Sequence, residues 1–368
     1  MAKKVKGKSG ARDDEARIKQ SKKESRARAK AAEKVRRKAE RKAAKAIQLA
    51  AEETAQKLVQ CARASAESIS RIQASRSVEG AWDLHSHSVF SDGSKTVDEL
   101  IAEARAAGLA RIAITDHDTL AQLSYVRERS RELGFPVLAG TEVSAHNPAT
   151  GRKVHILAFG LEATPDGSGP LERLVAQTLF DRTANSLWQA WVLKRAGAEF
   201  SGHTVSLDEV VAVAGESKGV YKQHIMEALT RRPQTDPDYR FCYQCLFKGD
   251  GVAAHDIASP VAADAVRAVR EQGGVPVLAH PGQMDSWDAV PELVEAGLMG
   301  IEAFHPDHGP QDTARAFELA GRFGLFVTGG SDYHGKYGDS PAMGTCFVMP
   351  DEAGERVEEL FRIEKGLR

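Results

Sequence analysis

The apolar residues of this chain fall into short runs that alternate with stretches of helical spacing. Runs of strand length include Arg111 to Thr115, Phe135 to Ala139, Val275 to Ala279 and Leu325 to Gly330, whereas Val97 to Ala107 has the spacing of a helix. Strands that alternate with helices are typical of a mainly parallel sheet, and about seven such units favour a barrel. The pattern therefore predicts an α/β barrel.

The alternation stops at about residue 164 and resumes at about residue 259. Helical patterns occupy Leu171 to Arg195 and Ser206 to Ala214 in the interrupted segment. The segment is too long for a simple loop, so we predict a small helical insertion that caps one end of the barrel. The predicted domains are an N-terminal extension over 1–80, barrel residues 81–163, the insertion over 164–259, and barrel residues 260–368.

Charge is divided unevenly between the extension and the rest of the chain. Residues 1–80 contain 23 Lys/Arg and 10 Asp/Glu, although the whole chain has a net charge of −1. Residues 1–46 have almost no bulky apolar side chains, which predicts disorder or an isolated helix, and Ile47 to Ile72 has a thin helical stripe. The basic arm could contact nucleic-acid phosphates, or it could be a solvated tail that aids solubility.

The cysteines and the hydropathy indicate a soluble, cytoplasmic protein without a membrane partner. Four cysteines are too few and too scattered for a disulfide framework, and no run of about 18 apolar residues occurs. The Cys242-x-x-Cys245 pair has no partner pair, which argues against a zinc knuckle. The sequence leaves the oligomeric state open.

Candidate metal ligands cluster where the predicted strands end. Asp83-Leu84-His85-Ser86-His87 follows the first run, and Gly330-Ser331-Asp332-Tyr333-His334 follows the last. In a parallel barrel the loops at these strand ends carry the chemistry. Two residues apart on a strand, His85 and His87 project to the same face. The other candidates are Asp92, His117, Glu142, His155 and His280.

Imidazole nitrogens with a few carboxylates suit Zn, Mn or Fe, which makes metal-assisted hydrolysis the leading hypothesis. Taken singly, His155 could be a satisfied core histidine, and His280 could simply end a strand. Their concurrence with the other clusters at strand ends favours ligation. The sequence has no G-x-x-x-x-G-K-[ST] loop, and its Gly-Gly-Ser segment fails the G-x-S-x-G pattern.

These segments resemble the polymerase and histidinol phosphatase (PHP) family of metal-dependent phosphoesterases, over about residues 82 to 350. The matching segments are Asp83-Leu84-His85-Ser86-His87 with Ser91-Asp92-Gly93, Ile114-Thr115-Asp116-His117-Asp118, Gly140-Thr141-Glu142, Val154-His155-Ile156, Val277-Leu278-Ala279-His280-Pro281 and Gly330-Ser331-Asp332-Tyr333-His334-Gly335. The resemblance implies a distorted (βα)7 TIM-like barrel with two or three divalent ions.

The resemblance also implies roles for the candidate ligands. It assigns His85, His87, Glu142 and Asp332 to a first ion, Asp92, His117 and His334 to a second, and His155 and His280 to a third, which Glu142 bridges. A hydroxide shared between the ions would attack phosphorus, because bound cations lower its pKa and offset the charge on the leaving oxygen. The expected catalytic residues are Asp92, Glu142 and His308.

The insertion resembles that of one PHP branch, the nucleoside 3′,5′-bisphosphate phosphatases that also act as 5′→3′ exoribonucleases. Lys222-Gln223-His224 stands where the branch has Arg-x-His, and Cys245-Leu246-Phe247-Lys248-Gly249 stands where it has Phe/Tyr-Leu-x-x-Gly. Lysine for arginine exchanges a bidentate phosphate fork for a point charge. The candidate substrate contacts are Arg182, Lys222, His224, His305 and His308. The first three could instead belong to a solvated helix face, and one of the last two could instead be structural.

We therefore expect an enzyme that hydrolyses phosphomonoesters of nucleotides or trims short RNA or DNA in the 5′→3′ direction. The expected partner is a phosphorylated nucleotide or oligonucleotide. Two alternatives stay open. One is a small-metabolite phosphatase of the histidinol-phosphate type, and the other is a non-catalytic nucleic-acid-binding scaffold.

Overall fold

A computed structural model describes residues 76–366 of the chain. The predictions for the basic arm, including its disordered and helical parts, lie outside the described residues. Within 76–366, no helix combines the length and the apolar character that crossing a membrane requires.

Seven strands form one mixed sheet that curls into a nearly closed barrel. The strands of the chain are β1 (Trp82–Asp83), β2 (Arg111–Ile114), β3 (Val137–His146), β4 (Lys153–Phe159), β5 (Glu199–Phe200), β6 (His203–Thr204), β7 (Val275–Ala279), β8 (Gly300–Phe304) and β9 (Phe326–Gly329). The sheet order is β1-β2-β3-β4-β7-β8-β9, and β5 and β6 form a separate hairpin. The first and last strands meet where the Leu84 amide donates to the Gly329 carbonyl at 3.0 Å.

Strand β4 runs antiparallel to both of its neighbours, whereas the other pairs in the barrel sheet are parallel. His155 lies near the start of β4 and pairs with Ser144 on β3 and Ala279 on β7. Reversal of the strand therefore places His155 at the same end of the barrel as the carboxyl ends of the parallel strands. The sequence did not distinguish this direction.

Helices cover the barrel and build the segment between β4 and β7. They are α1 (Val97–Ala107), α2 (Leu123–Leu133), α3 (Pro170–Ala196), α4 (Leu207–Ala214), α5 (Lys222–Thr230), α6 (Pro237–Phe247), α7 (Ala262–Glu271), α8 (Val290–Ala296), α9 (Pro310–Phe323) and α10 (Pro350–Gly366). Helix α1 shows why the local sequence folds this way. Thr96 and Glu99 form a capping box at its start, and Gly108 ends it with φ 84°.

Helices α3 to α6 have a hydrophobic core of their own. Val210, Ile225, Leu229, Tyr239 and Phe247 are buried together in it. The two helical stretches expected from the sequence correspond to α3 and α4. The β5–β6 hairpin was not expected, because two residues per strand leave too short a pattern to read.

Candidate metal centre

The nine candidate ligands converge at the end of the barrel where the parallel strands have their carboxyl termini. His85 and His87 follow β1, His117 follows β2, and His280 directly follows β7. Glu142 and His155 lie within β3 and β4, Asp92 lies in the loop before α1, and Asp332 and His334 follow β9. Their side chains are buried or half-buried. The structure thus brings together residues that lie as many as 249 positions apart in the chain.

Three groups of these side chains place one ligand atom from each member within 4.8 Å of one another. The groups are His85, His87, Glu142 and Asp332; His87, Asp92, His117 and His334; and His117, Glu142 and His155. The first group matches the set that the family resemblance implied for a first ion. The second adds His87 to the implied set, and the third contains His117 in place of His280.

Glu142 lies between these groups. Its Oε1 is 2.7 Å from His155 Nδ1 and 2.8 Å from His280 Nε2. Its Oε2 is 3.2 Å from both His85 Nε2 and His87 Nε2. His280 therefore shares an oxygen with His155, although His280 belongs to none of the three groups. One carboxylate faces both halves of the cluster, which is the placement that a bridging ligand needs.

The cluster fits divalent cations on the evidence of its unpaired atoms. Within the described part of the chain, His85 Nε2, both ring nitrogens of His87, Asp92 Oδ1 and Asp332 Oδ1 are buried without a hydrogen-bond partner. Asp332 Oδ1 lies 3.4 Å from His85 Nε2 and 3.2 Å from His87 Nε2. Two ligands of a tetrahedral ion bound at about 2.1 Å lie about 3.4 Å apart. The atoms thus surround common points.

The charge states of these groups also suit ligation. Burial raises the pKa of Glu142, but nearby His117, His155 and His85 outweigh it and hold that pKa well below its usual value. The same balance, with His85 and His334 as the main cations, holds the pKa of Asp332 well below its usual value. Burial lowers the pKa of His117 to about 4, whereas Asp92 and Asp332 outweigh burial and raise the pKa of His334 to about 10. The ionised carboxylates and the neutral His117 present free lone pairs, and a bound cation would displace the proton that His334 holds in its absence.

Unusual backbone geometry positions two of the candidate ligands. His280 has φ 25° and Asp332 has φ 47°, in the region that favours glycine. Such conformations cost about 1–3 kcal/mol and persist where the surroundings enforce them, often at functional sites. Gly330 allows the close approach of the last strand to the first, because a Cβ there would lie 2.4 Å from the His85 backbone nitrogen.

A cavity opens beside the cluster, and side chains of the insertion line it. Its wall includes the candidate ligands Asp92, His117 and His155. The cations Arg182, Lys222 and Lys153 also line it. Arg182 donates from Nη2 to Asp118 Oδ2 at 2.6 Å and to Ser144 Oγ at 2.7 Å. Lys222 and Lys153 both pair with Asp256. The structure therefore brings two of the predicted substrate residues, Arg182 and Lys222, to the candidate metal centre.

Comparison with known proteins identifies the family. A sequence model of the PHP domain matches residues 83–231. The phosphoribosyl 1,2-cyclic phosphate 1,2-diphosphodiesterase of Eggerthella lenta is 49% identical over 262 residues, which cover 71% of this chain and 97% of that protein. The chain belongs to the PHP family.

Two further relatives agree with this assignment. The 3′,5′-nucleoside bisphosphate phosphatase of Chromobacterium violaceum is 30% identical over 68% of this chain and 86% of its own length. A crystal structure from Bifidobacterium adolescentis, classed as a metal-dependent phosphoesterase, superposes with a TM-score of 0.65 at 29% identity, covering 77% of this chain and 96% of that one. This PHP protein is accordingly a metal-dependent phosphoesterase, a hydrolase of ester bonds, and the α/β barrel prediction is confirmed.

The remaining predicted substrate residues of the PHP site are placed differently. His224 is only 2% exposed and does not line the cavity, because its Nδ1 accepts a hydrogen bond from the Tyr221 amide at the start of α5. Its neighbour Gln223 enters the site instead and donates to Asp92 Oδ2 at 3.0 Å. The sequence prediction for His224 is therefore corrected, and Gln223 is a contact that it missed.

His308 is also corrected, because the backbone occupies both of its ring nitrogens. Nδ1 donates to the Ala303 carbonyl and Nε2 accepts from the Gly282 amide, each at 3.0 Å. Burial lowers the pKa of His308 to about 4. A neutral ring without a spare proton cannot protonate a leaving group, so the geometry makes His308 structural. His305 lies at the cluster, with Nε2 3.4 Å from Asp332 Oδ2.

Glu302 supports the cluster, although the sequence analysis did not select it. Fully buried on β8, it accepts from the His280 amide at 2.8 Å and lies 3.3 Å from His85 Nδ1. Such a carboxylate behind a ligand histidine fixes the orientation and tautomer of the ring. A glutamate inside the apolar run from Met299 to Phe304 was the signal that could have revealed it.

Proposed function

We propose that this PHP enzyme hydrolyses phosphate esters of a ribose that carries two phosphate groups. The observation that supports this is a single cavity lined both by candidate metal ligands and by Arg182, Lys222 and Lys153. One phosphate would react at the metal centre, and the other would pair with these cations. Asp118 and Asp256 oppose these cations, and Asp92 on the same wall is a candidate metal ligand, so a bound divalent ion would leave positive charge in excess in the cavity.

The names of the two curated relatives support the same substrate class. Phosphoribosyl 1,2-cyclic phosphate and a nucleoside 3′,5′-bisphosphate both present two phosphates on one ribose. The first candidate substrate is the cyclic diester, because the Eggerthella lenta protein is the more similar of the two. The sequence alone did not suggest a cyclic diester. The second candidate is the nucleotide monoester, with trimming of short RNA or DNA, as the insertion motifs predicted.

We propose that the nine-residue cluster holds two or three divalent ions of Mn, Zn or Fe. His85, His87, Glu142 and Asp332 would hold one ion, and Asp92, His117 and His334 a second. Glu142 would bridge to a third site at His155 and His280. When bound, the ions would activate water and offset charge on the phosphate ester. Asp92 and Glu142 would act as ligands that touch the reacting centre.

We propose that Arg182 has the leading role in holding the phosphate that does not react. Its side chain is a quarter exposed, and Nε is buried with no partner among the described residues. Asp118 and Ser144 fix the side chain, so little conformational entropy is lost when an anion binds. Lys222 lies across the cavity as a point charge. His305, with its Nε2 near Asp332, is the remaining candidate for contact with the reacting phosphate.

A substrate screen tests the proposal. The full chain is purified, supplied with Mn²⁺ and assayed on four compounds, and the products are separated by chromatography so that ring opening, release of phosphate and release of nucleotides are each measured. The compounds are phosphoribosyl 1,2-cyclic phosphate, a nucleoside 3′,5′-bisphosphate, a 5′-phosphorylated oligoribonucleotide and histidinol phosphate. We expect the highest kcat/KM for the first, with His85→Ala as the inactive control. Preference for histidinol phosphate, or a fully active His85→Ala enzyme, would contradict the proposal.

We further propose that the enzyme works in the cytoplasm, that the segment over 164–259 caps the site, and that the basic arm over 1–80 contacts nucleic acid. Contact through the arm should weaken steeply as salt increases, because it rests on counterion release. Binding of the full chain and of a chain lacking residues 1–75 to an RNA oligonucleotide, across a salt series, tests the arm. Equal affinity of the two chains would contradict it.

A further inference from the structure

A second groove continues outward from the cavity beside the metal centre. Its lining includes Trp188 and His255 at the far end. Asn185, Asp256 and Ile257 line both the groove and the cavity, so the two spaces adjoin. The cations of the cavity therefore stand between the candidate metal centre and a pair of aromatic rings.

The two rings form an open corner on the surface of the insertion. Trp188, on α3, is 43% exposed, and the His255 side chain is also exposed. Their ring centroids are 5.4 Å apart, with an interplanar angle of 62°. A flat ring that stacked on the indole would cover apolar surface that now faces water and would meet the imidazole at its edge.

Hydrogen bonds hold this corner in place. Asn185 Oδ1 lies 2.7 Å from His255 Nδ1, and Asn185 Nδ2 donates to the His255 carbonyl at 3.2 Å. The buried Gln189 donates to the carbonyls of Ala253 and His255, each at 2.8 Å. Hydrogen bonds from α3 thus hold the loop that carries His255 against the helix. A ligand would meet a corner that is already ordered, which lowers the entropic cost of binding.

Spacing along α3 relates the corner to the phosphate-binding cations. Arg182, Asn185 and Trp188 follow one another at steps of three residues along α3, so each is a neighbour of the next on the helix surface, and Asn185 lines both the cavity and the groove. Six residues advance a helix by about 9 Å, a span that the sugar of a nucleotide can bridge. A ligand that fits has phosphate at one end and a flat aromatic ring at the other.

We propose that Trp188 and His255 form a binding subsite for the nucleobase of a phosphorylated nucleoside. The subsite deepens the proposed function, because it would let one metal centre act on base-bearing as well as on base-free ribose phosphates. This inference rests on the proposed use of Arg182 and its neighbours as a phosphate site. Stacking on an aromatic side chain tolerates any base, so the subsite selects for a base rather than for one base.

Paired substrates and a matched variant test the subsite. The full chain is assayed on a nucleoside 3′,5′-bisphosphate and on its base-free counterpart, with KM and kcat determined separately. We expect Trp188→Ala to lower the ratio of kcat/KM for the nucleoside to that for the base-free compound about 10-fold, mainly through KM. Trp188→His should restore part of that ratio. Trp191→Ala is the control, because Trp191 is 44% exposed on the same helix and does not line the groove.

Three outcomes would overturn the inference. Equal losses on both substrates in Trp188→Ala would make Trp188 structural. Equal ratios in Trp188→Ala and Trp191→Ala would leave the corner without a ligand. A change in oligomeric state on gel filtration of Trp188→Ala, with an unchanged ratio, would show that a second copy of the chain covers the indole.

A measurement without turnover separates failure of the subsite from failure of the proposed function. Under chelator, adenosine 3′,5′-bisphosphate should quench the tryptophan fluorescence of the parent and of Trp191→Ala, but not that of Trp188→His. Quenching with no hydrolysis of any ribose phosphate would contradict only the proposed function. Hydrolysis with equal quenching in all three proteins would contradict only the subsite.

Discussion

The barrel end and the insertion face each other across one cavity, but their polar side chains differ in whether they already have partners. The barrel contributes buried imidazoles and carboxylates whose ligand atoms lack partners of their own, as in His87 and Asp332. The insertion contributes half-buried cations that already have acidic partners, as Arg182 has Asp118. Unpaired buried groups are costly unless an ion completes them, whereas paired surface cations adapt to different anions. On this comparison we propose that the barrel carries out the reaction and that the insertion selects the substrate.

The largest expected effect is the loss of activity when the ions are removed, which tests the role of the barrel. We expect chelation or His87→Ala to lower kcat/KM by on the order of 10³-fold or more, because ions that activate water and neutralise phosphate are lost. Metal analysis and phosphate-release assays measure the effect, with His203→Ala on the β5–β6 hairpin as the control. Full activity of chelated enzyme would refute the division.

Arg182→Ala tests the role of the insertion. We expect a smaller effect, mainly on KM rather than on kcat. Loss of a charged hydrogen bond costs about 1.5–3 kcal/mol, so we expect KM to rise about 10- to 100-fold with a smaller change in kcat. Steady-state kinetics separate the two constants. Arg195→Ala, near the carboxyl end of the same helix, is the control. Since Asp118 would be left buried and unpaired, Arg182→Met with Asp118→Asn checks that the effect is not misfolding. A fall in kcat with unchanged KM would place Arg182 at the chemical step.

Two histidines that follow β8 sharpen the comparison within the barrel. We expect His308→Gln to lower the free energy of unfolding by about 1–3 kcal/mol, since a backbone group loses its partner, without moving the pH profile of kcat. His305→Asn should lower kcat instead. Denaturant unfolding and pH–rate profiles distinguish the two. A shifted acid limb in His308→Gln would restore the sequence-based role of His308 as an acid.

The last expected effect concerns His224 in the insertion and develops only as the pH falls. Burial lowers its pKa to about 4, against an ordinary value of 6.5. Between pH 6.5 and pH 4, His224 is therefore protonated in the unfolded chain but not in the folded chain. Stability is lost as pH falls from 6.5 to 4, by up to about 3 kcal/mol. Denaturant unfolding under chelator, in parent and His224→Gln, should show a shallower pH slope in the variant, and parallel slopes would contradict this account.

The candidate ligands could be selected from the sequence because all of them except Asp92 lie at the end of an apolar run or within one. Patterns of apolar residues do not record strand direction, so the reversal of β4 that carries His155 was not foreseen. Hydrogen bonds to backbone groups leave no pattern either. His308 and His224 were read as chemical groups because their ring nitrogens look available until the backbone partners are known. Gln223 was passed over because an amide carries no charge.

The bonds from the insertion to the candidate ligands bear on how such an enzyme can change over evolution. Gln223 touches Asp92, and the Tyr221 hydroxyl donates to the His117 carbonyl at 2.9 Å. Both of those ligands belong to the second group, whereas His85 and Asp332 of the first group contact the barrel residues Glu302 and His305. An insertion exchanged for another would therefore retune one half of the centre and leave the other half intact. Such an enzyme could acquire new substrates while keeping the metal ligands that the insertion does not contact.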